Sequence, residues 1–251
     1  MTNRPGNRLV YLNSRPRPDD HDLQAHPRGP SRVAVAISAQ TGSGALWIAE
    51  RLAAHLQETE PDTERPWKVF HRSLIVKILE DHHLPIRMAK FLPEDAKNVV
   101  DDVLDELFGF HPSSWVMVQN SIETICRLVA EGNVIFVGWA VNAITRDLSD
   151  VFHVRLVGSI DRRVARIQVR ENLSRKEALA FIERSDRGRE RYSKRYFERS
   201  VSDVLLYDLT INTDQFSDIE VLQLISGAIW TRRARGSAVS RSARVNPHPG
   251  I

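Results

Sequence analysis

Apolar residues along the chain switch repeatedly between two spacings. Val33, Val35 and Ile37 are β-branched and set among small residues, the pattern of a short strand in a buried parallel sheet. Gly42 and Gly44 break that run. From Leu46, apolar residues recur every three or four positions through Ala49, Leu52, Ala53 and Leu56, so a helix with one apolar face follows. After a polar loop ending at Pro66, residues 67–70 suggest a second short strand, with the first as its expected mate. Leu74, Ile75, Ile78 and Leu79 form a helical face, residues 95–108 an acidic helix, and residues 113–129 a long apolar-periodic helix. The run Val134 to Val137 lies between glycines and reads as a central strand. A helix from Val141, a strand over Val151 to Val157, a basic helical hairpin, a strand within Tyr207 to Thr213 and a helix from Ile219 to Ile229 complete the series. Such alternation predicts a parallel sheet covered by helices on both faces.

The glycine turn is the first candidate for chemistry. A turn from strand to helix presents unpaired N–H groups at the positive end of the helix dipole, which makes it an anion cradle. The phosphate-loop motif G-x-x-x-x-G-K-[ST] is met only in part. Aligned on Gly44, its first glycine falls on Ala39, its lysine on Ala45 and its hydroxyl on Leu46. The bland alternative is an ordinary turn kept small for packing.

The second candidate is arginine. Between Asp161 and Arg199 stand 13 Lys and Arg against 7 acids. Arg163, Arg166 and Arg170 share one helix face, and Ser174 with Glu177 form a capping box that starts the next helix. Along that helix Asp186, Arg189, Tyr192 and Tyr196 fall on one stripe. Either these groups neutralise one another on a solvated hairpin, or they form a lid over an anion, since forked guanidiniums suit a transferring phosphoryl group.

Other features carry less. His82 and His83 are adjacent and cannot share a helix face, so they read as a helix end rather than a metal site. The string Asp101 to Glu106 reads as a solvated acidic face. The single Cys126 lies in a helical pattern and reads as a buried structural thiol, which excludes a disulfide within the chain. No metal-ligating residues are nominated.

The 251 residues carry a net charge of +3, unevenly spread. Residues 1–32 hold six Arg against three Asp, and residues 230–251 hold five Arg and no acid, so the middle is acidic. The leader, about 1–31, is rich in Pro and Arg, and the tail, 231–251, lacks apolar periodicity. Both read as unfolded, leaving one domain over 32–230 with its lid at about 161–199. Arg-rich ends attract nucleic acid, but no aromatic is interleaved among the arginines of the tail, which favours a solvated segment. With no long apolar run and no secretory pattern, the expectation is a cytoplasmic protein without a membrane partner.

Taken in order, residues 33–38, Gly42-Ser43-Gly44, the strand from Gly132 to Gly138, Arg163-x-x-Arg166, Asp186-x-x-Arg189-x-x-Tyr192 and Tyr207-Asp208-Leu209-x-Ile211-Asn212-Thr213 resemble the cytidylate kinase-like proteins, over roughly residues 32–229. The resemblance implies an α/β P-loop nucleoside monophosphate kinase-like fold, a parallel sheet flanked by helices with an Arg-rich helical lid. It implies ATP and Mg2+ as donor and cofactor, a nucleotide or small phosphorylated substrate such as CMP as acceptor, Gly42, Ser43 and Gly44 at the donor phosphates, and Arg163, Arg166 and Arg189 as the catalytic lid arginines. The chain departs from the family at Leu46, where arginine is frequent, and at Trp139, which replaces the arginine of an acceptor-side Gly-Arg pair beginning at Gly138. Two functions stay open: a weakened phosphotransferase acting on a CMP-like or other small acceptor, and a catalytically inactive nucleotide-sensing or scaffold protein on a kinase fold.

Overall fold

The computed structural model describes residues 33–60, 65–71, 73–83, 112–138 and 140–245. The elements are β1 (Ala34–Ala39), α1 (Ala45–Thr59), β2 (Lys68–Phe70), α2 (Ser73–Asp81), α3 (Pro112–Glu131), β3 (Val134–Val137), α4 (Val141–Ile144), β4 (Val151–Val157), α5 (Ile160–Glu171), α6 (Arg175–Phe197), a 3-10 turn (Val204–Leu206), β5 (Leu209–Asn212) and α7 (Asp218–Val245). The five strands form one sheet in the order β2-β3-β1-β4-β5, and every pairing is parallel. β1 stands in the centre, between β3 and β4.

Alternation of side chains along each strand sorts the core into two layers. Val35 and Ile37 of β1, Ile135 and Val137 of β3, and Phe152, Val154 and Leu156 of β4 meet Ile48, Leu52 and Leu56 of α1 and Val221, Ile225 and Ile229 of α7. Ala34 and Ala36, Val134 and Phe136, and Val151 face the other way, against Leu74 and Ile78 of α2, Ile125 and Leu128 of α3, and Val141 of α4. On β4 this second face continues as His153 and Arg155, both buried. A small separate cluster, Val164, Ile167, Ala178 and Ile182, holds the α5–α6 hairpin together. The hairpin is punctuated as its sequence dictates: Ser159 caps α5, Asn172 ends it in the left-handed region, and Ser174 and Glu177 complete both bonds of the capping box.

Two expectations are corrected. The strand at 68–70 pairs with β3, Lys68 beside Val134 and Phe70 beside Phe136, rather than with β1. The wholly buried β3 claims the place next to β1, and a three-residue strand with an exposed lysine suits the sheet edge. The expected unfolded tail is helical as far as Val245. Extending an existing helix avoids the cost of nucleation, and the extension is anchored. Arg232 donates to the carboxylate of Asp208 at 2.6 Å, Arg233 donates to Glu60 at 2.6 Å, and the Arg233 guanidinium lies over Trp230. Cys126 is only half-buried. His82 and His83 do follow the end of α2, where the His82 imidazole lies 3.1 Å from the carbonyl of Asn120. The leader, the acidic helix expected at 95–108 and Trp139 lie outside the described residues.

Candidate active site

The loop from Gln40 to Gly44 stands at the carboxyl edge of the sheet beside its central strand. Gln40 N donates to Leu156 O at 3.0 Å, and Gln40 Oε1 accepts from Gly158 N at 3.0 Å, so one residue ties the loop to β4 and to the start of α5. Gly42 is required twice over. Its φ is +87°, and a Cβ there would stand 2.7 Å from the carbonyl oxygen of Arg163. Gly44 caps α1 in the left-handed region and supplies no side-chain acceptor, so the first-turn amides of α1 meet no cap.

Ser43 does not face outward. Its amide and hydroxyl both donate to Gln40 O, at 3.1 and 2.7 Å, and the residue is buried. It shapes the loop and offers a phosphate neither donor in this arrangement. The missing hub is Thr41, whose amide and hydroxyl donate to Asp186 Oδ1 at 2.8 and 2.7 Å. Loop and lid are thus joined through one carboxylate.

The three nominated arginines converge on this junction. Arg163, 8% exposed, donates from Nε to Gly158 O at 3.0 Å and from Nη1 to Asp186 Oδ2 at 2.7 Å. Arg166 reaches Thr213 Oγ1 at 3.1 Å and Gly42 O at 3.4 Å. Arg189 donates to Thr41 Oγ1 at 2.6 Å and to Asp186 Oδ1 at 3.3 Å. Arg170 is not brought in; its Nε bonds the neighbouring Glu171 at the surface. Tyr192 and Tyr196 belong to an aromatic cluster, their ring centroids 5.0 Å apart. Asp186 bonds Arg163 and Arg189 directly, while Arg166 bonds the loop at Gly42 O and the end of β5 at Thr213. Forked donors on oxygens of the loop are placed to exchange those oxygens for a phosphate's.

Beside the junction lies a second polar group that sequence reasoning missed. Arg155 donates to Ser38 Oγ at 2.6 Å, and Tyr207 Oη donates to Val201 O at 2.8 Å and lies 3.3 Å from Ser38 Oγ. Burial pulls the Arg155 guanidinium below its ordinary pKa and pushes the Tyr207 phenol above its own. The signal was an arginine inside the mostly apolar strand run Val151 to Val157.

The sequence profile of the cytidylate kinase-like family matches residues 34–215. This protein belongs to that family. Within the cytidylate kinase-like chain the matched span contains the whole sheet, the glycine loop and the lid hairpin. Among curated protein sequences no match was found. Of solved structures, an uncharacterized protein from Eubacterium ventriosum ATCC 27560 superposes with a TM-score of 0.58 at 18% identity, covering 79% of this chain and 98% of that one, which supports the fold alone. A shikimate kinase from Bacteroides thetaiotaomicron gives 0.43 at 12%, covering 78% and 98%. A gluconokinase from Sinorhizobium meliloti 1021 gives 0.42 at 12%, covering 88% and 100%. Likenesses of that size carry no argument about the site. The architecture is that of a P-loop nucleoside monophosphate kinase-like protein, and among the described residues no helix is long and apolar enough to cross a membrane.

Proposed function

We propose that this family member binds ATP through the loop Gly42 to Gly44 and transfers its terminal phosphoryl group, slowly, to a nucleoside monophosphate such as CMP or a similar small anionic acceptor. The observation that carries the reading is the junction at Thr41, where Asp186 binds the loop, Arg163 and Arg189, and Arg166 bonds the loop at Gly42 O. Uncapped amides at the start of α1 receive the phosphates. Arg166 and Arg189 shift from protein oxygens to phosphate oxygens, while Arg163, held by Gly158 and Asp186, fixes the lid against the loop. As the acceptor oxygen bonds to the γ-phosphorus, the bond to the β,γ-bridging oxygen breaks and ADP leaves. The charge that spreads over the equatorial oxygens is met by donors already in place.

The weakness of the proposed enzyme follows from what is missing. Ala45 and Leu46 stand where the motif has its lysine and hydroxyl, and Trp139 where the family has an acceptor arginine. Losing one preorganised donor of this kind costs about 3 to 4 kcal/mol, roughly a hundred- to a thousandfold in rate. Among the described residues no group of three or more His, Cys, Asp or Glu could hold a metal. Magnesium keeps several waters and is usually held by substrate phosphates with one or two carboxylates, so it would enter with the ATP phosphates and offset their charge.

The test is ADP formation with CMP, UMP, AMP or no acceptor, alongside calorimetric titration of ATP with and without Mg2+. Expected are measurable ATP binding and CMP turnover well below the roughly 1 to 100 per second usual for kinases. Turnover within that range would refute the weakened-enzyme reading. Absence of ATP binding, with Arg163→Ala and Arg189→Ala equally silent, would remove the phosphate site.

A further inference from the structure

Arg155 stands on β4 opposite Ser38, two residues before the glycine loop begins, and is only 7% exposed. Its guanidinium lies 5.8 Å from the centroid of the Tyr207 ring. Its one protein hydrogen bond among the described residues goes to the Ser38 hydroxyl, and no carboxylate there lies within ion-pair distance of it. The two acids whose fields reach it are already engaged: Asp186 holds Thr41, Arg163 and Arg189, and Glu190 accepts from Ser200 Oγ, Val201 N and Lys194 Nζ. A guanidinium has five donors and keeps its proton, and burying one without a countercharge is unfavourable. Arg163, equally buried, has its countercharge in Asp186 at 2.7 Å. Arg155 has none at ion-pair distance among the described residues.

Its side of the sheet matters. Arg155 follows Val151 and His153 on the face of α3 and α4, whereas the loop leads into α1 on the opposite face. The start of α1 and Arg155 thus stand at the carboxyl edge of the sheet, on its two different faces. The guanidinium fork beside the Ser38 hydroxyl offers donors to several oxygens of one anion, which suits a phosphate monoester.

We infer that Arg155, positioned by Ser38 and covered by Tyr207, binds the phosphate group of the acceptor. This deepens the phosphotransferase reading and rests on it. In the test, CMP is titrated by calorimetry into the full chain saturated with a non-hydrolysable ATP analogue. Arg155→Gln is expected to weaken CMP by more than about tenfold while the affinity for the analogue stays within about twofold, and Arg155→Lys, which keeps the charge but loses the fork, should fall between. Equal losses for both ligands, or no loss for CMP, would overturn the inference, as would a wild type that binds the analogue but not CMP. Should Arg155→Gln fail to fold, Ser38→Ala replaces it: a weakening of about threefold confined to CMP supports the site, and unchanged CMP binding overturns it. If the wild type binds no ATP analogue, the kinase reading falls alone. Inorganic phosphate then decides, since binding lost in Arg155→Gln keeps the anion site and equal binding removes it.

Discussion

The two faces of the central strands are built to different rules. On the α1 and α7 side every inward residue of β1 and β4 is apolar, from Val35 and Ile37 to Phe152, Val154 and Leu156, and the layer is closed. On the α3 and α4 side the same strands begin as Ala34, Ala36 and Val151, then turn polar toward their carboxyl ends as Ser38, His153 and Arg155. One face supplies stability through area removed from water. The other buries polar groups that find hydrogen-bond partners within the protein, His153 with Thr145 and Arg155 with Ser38.

This contrast is sharpest for a large truncation on the apolar face. Leu52 is fully buried beneath β1, so Leu52→Ala should cost about 2 to 5 kcal/mol in chemical denaturation. The ATP affinity of the protein that remains folded should not move. A large loss of nucleotide binding in the folded fraction would break the separation between the faces.

Gly42→Ala should show the reverse balance. Strain at φ +87° and the clash with the Arg163 carbonyl cost about 1 to 3 kcal/mol of stability. Because the loop must move away from α5, the effect on ATP binding, read by calorimetry, should exceed about tenfold. Unchanged affinity would show that the cradle does not depend on this turn.

The smallest effect tests the seam where the faces meet. Asp208 accepts from His153 N, at 2.8 Å, and from Arg232 of α7. Burial opposes its ionisation, but hydrogen bonds from His153 and Arg232 prevail and lower its pKa from 3.8 to about 2. A depressed carboxylate contributes stability above its unfolded pKa and loses it as pH falls through the folded value, here between about pH 4 and pH 2. After discounting for a half-exposed ion pair, the contribution is about 1 kcal/mol. Asp208→Asn should flatten the acid limb of a stability–pH curve over that window, and an unaltered limb would show that other carboxylates govern it.

Much of the fold was legible because its signals are local. The β-branched runs at 33–37 and 134–137, the glycines between β1 and α1, and the capping box at Ser174 each combine neighbouring residues whose spacing is itself the physics. The site was legible only as a set of charges. Repetition placed Arg163 and Arg166 on one face and Asp186 and Arg189 on another, but spacing says nothing of whether those faces meet a loop more than a hundred residues earlier. The helix from 231 to 245 was missed for a related reason: its anchors, Asp208 and Glu60, are remote in sequence.

From its own order of residues the chain determined which segments are strands and helices, that the sheet is parallel, and that a glycine loop precedes an Arg-rich hairpin. Tertiary structure alone decided that β2 sits beside β3 and that Ser43 turns inward. It also decided that Thr41 binds the lid through Asp186, and that Arg155 is buried with no carboxylate at ion-pair distance among the described residues. The division has one cause. Periodicity and turn chemistry act over a few residues, whereas strand order, side-chain direction in a loop and the pairing of buried charges are settled by whichever distant groups the packed layers bring within hydrogen-bond reach.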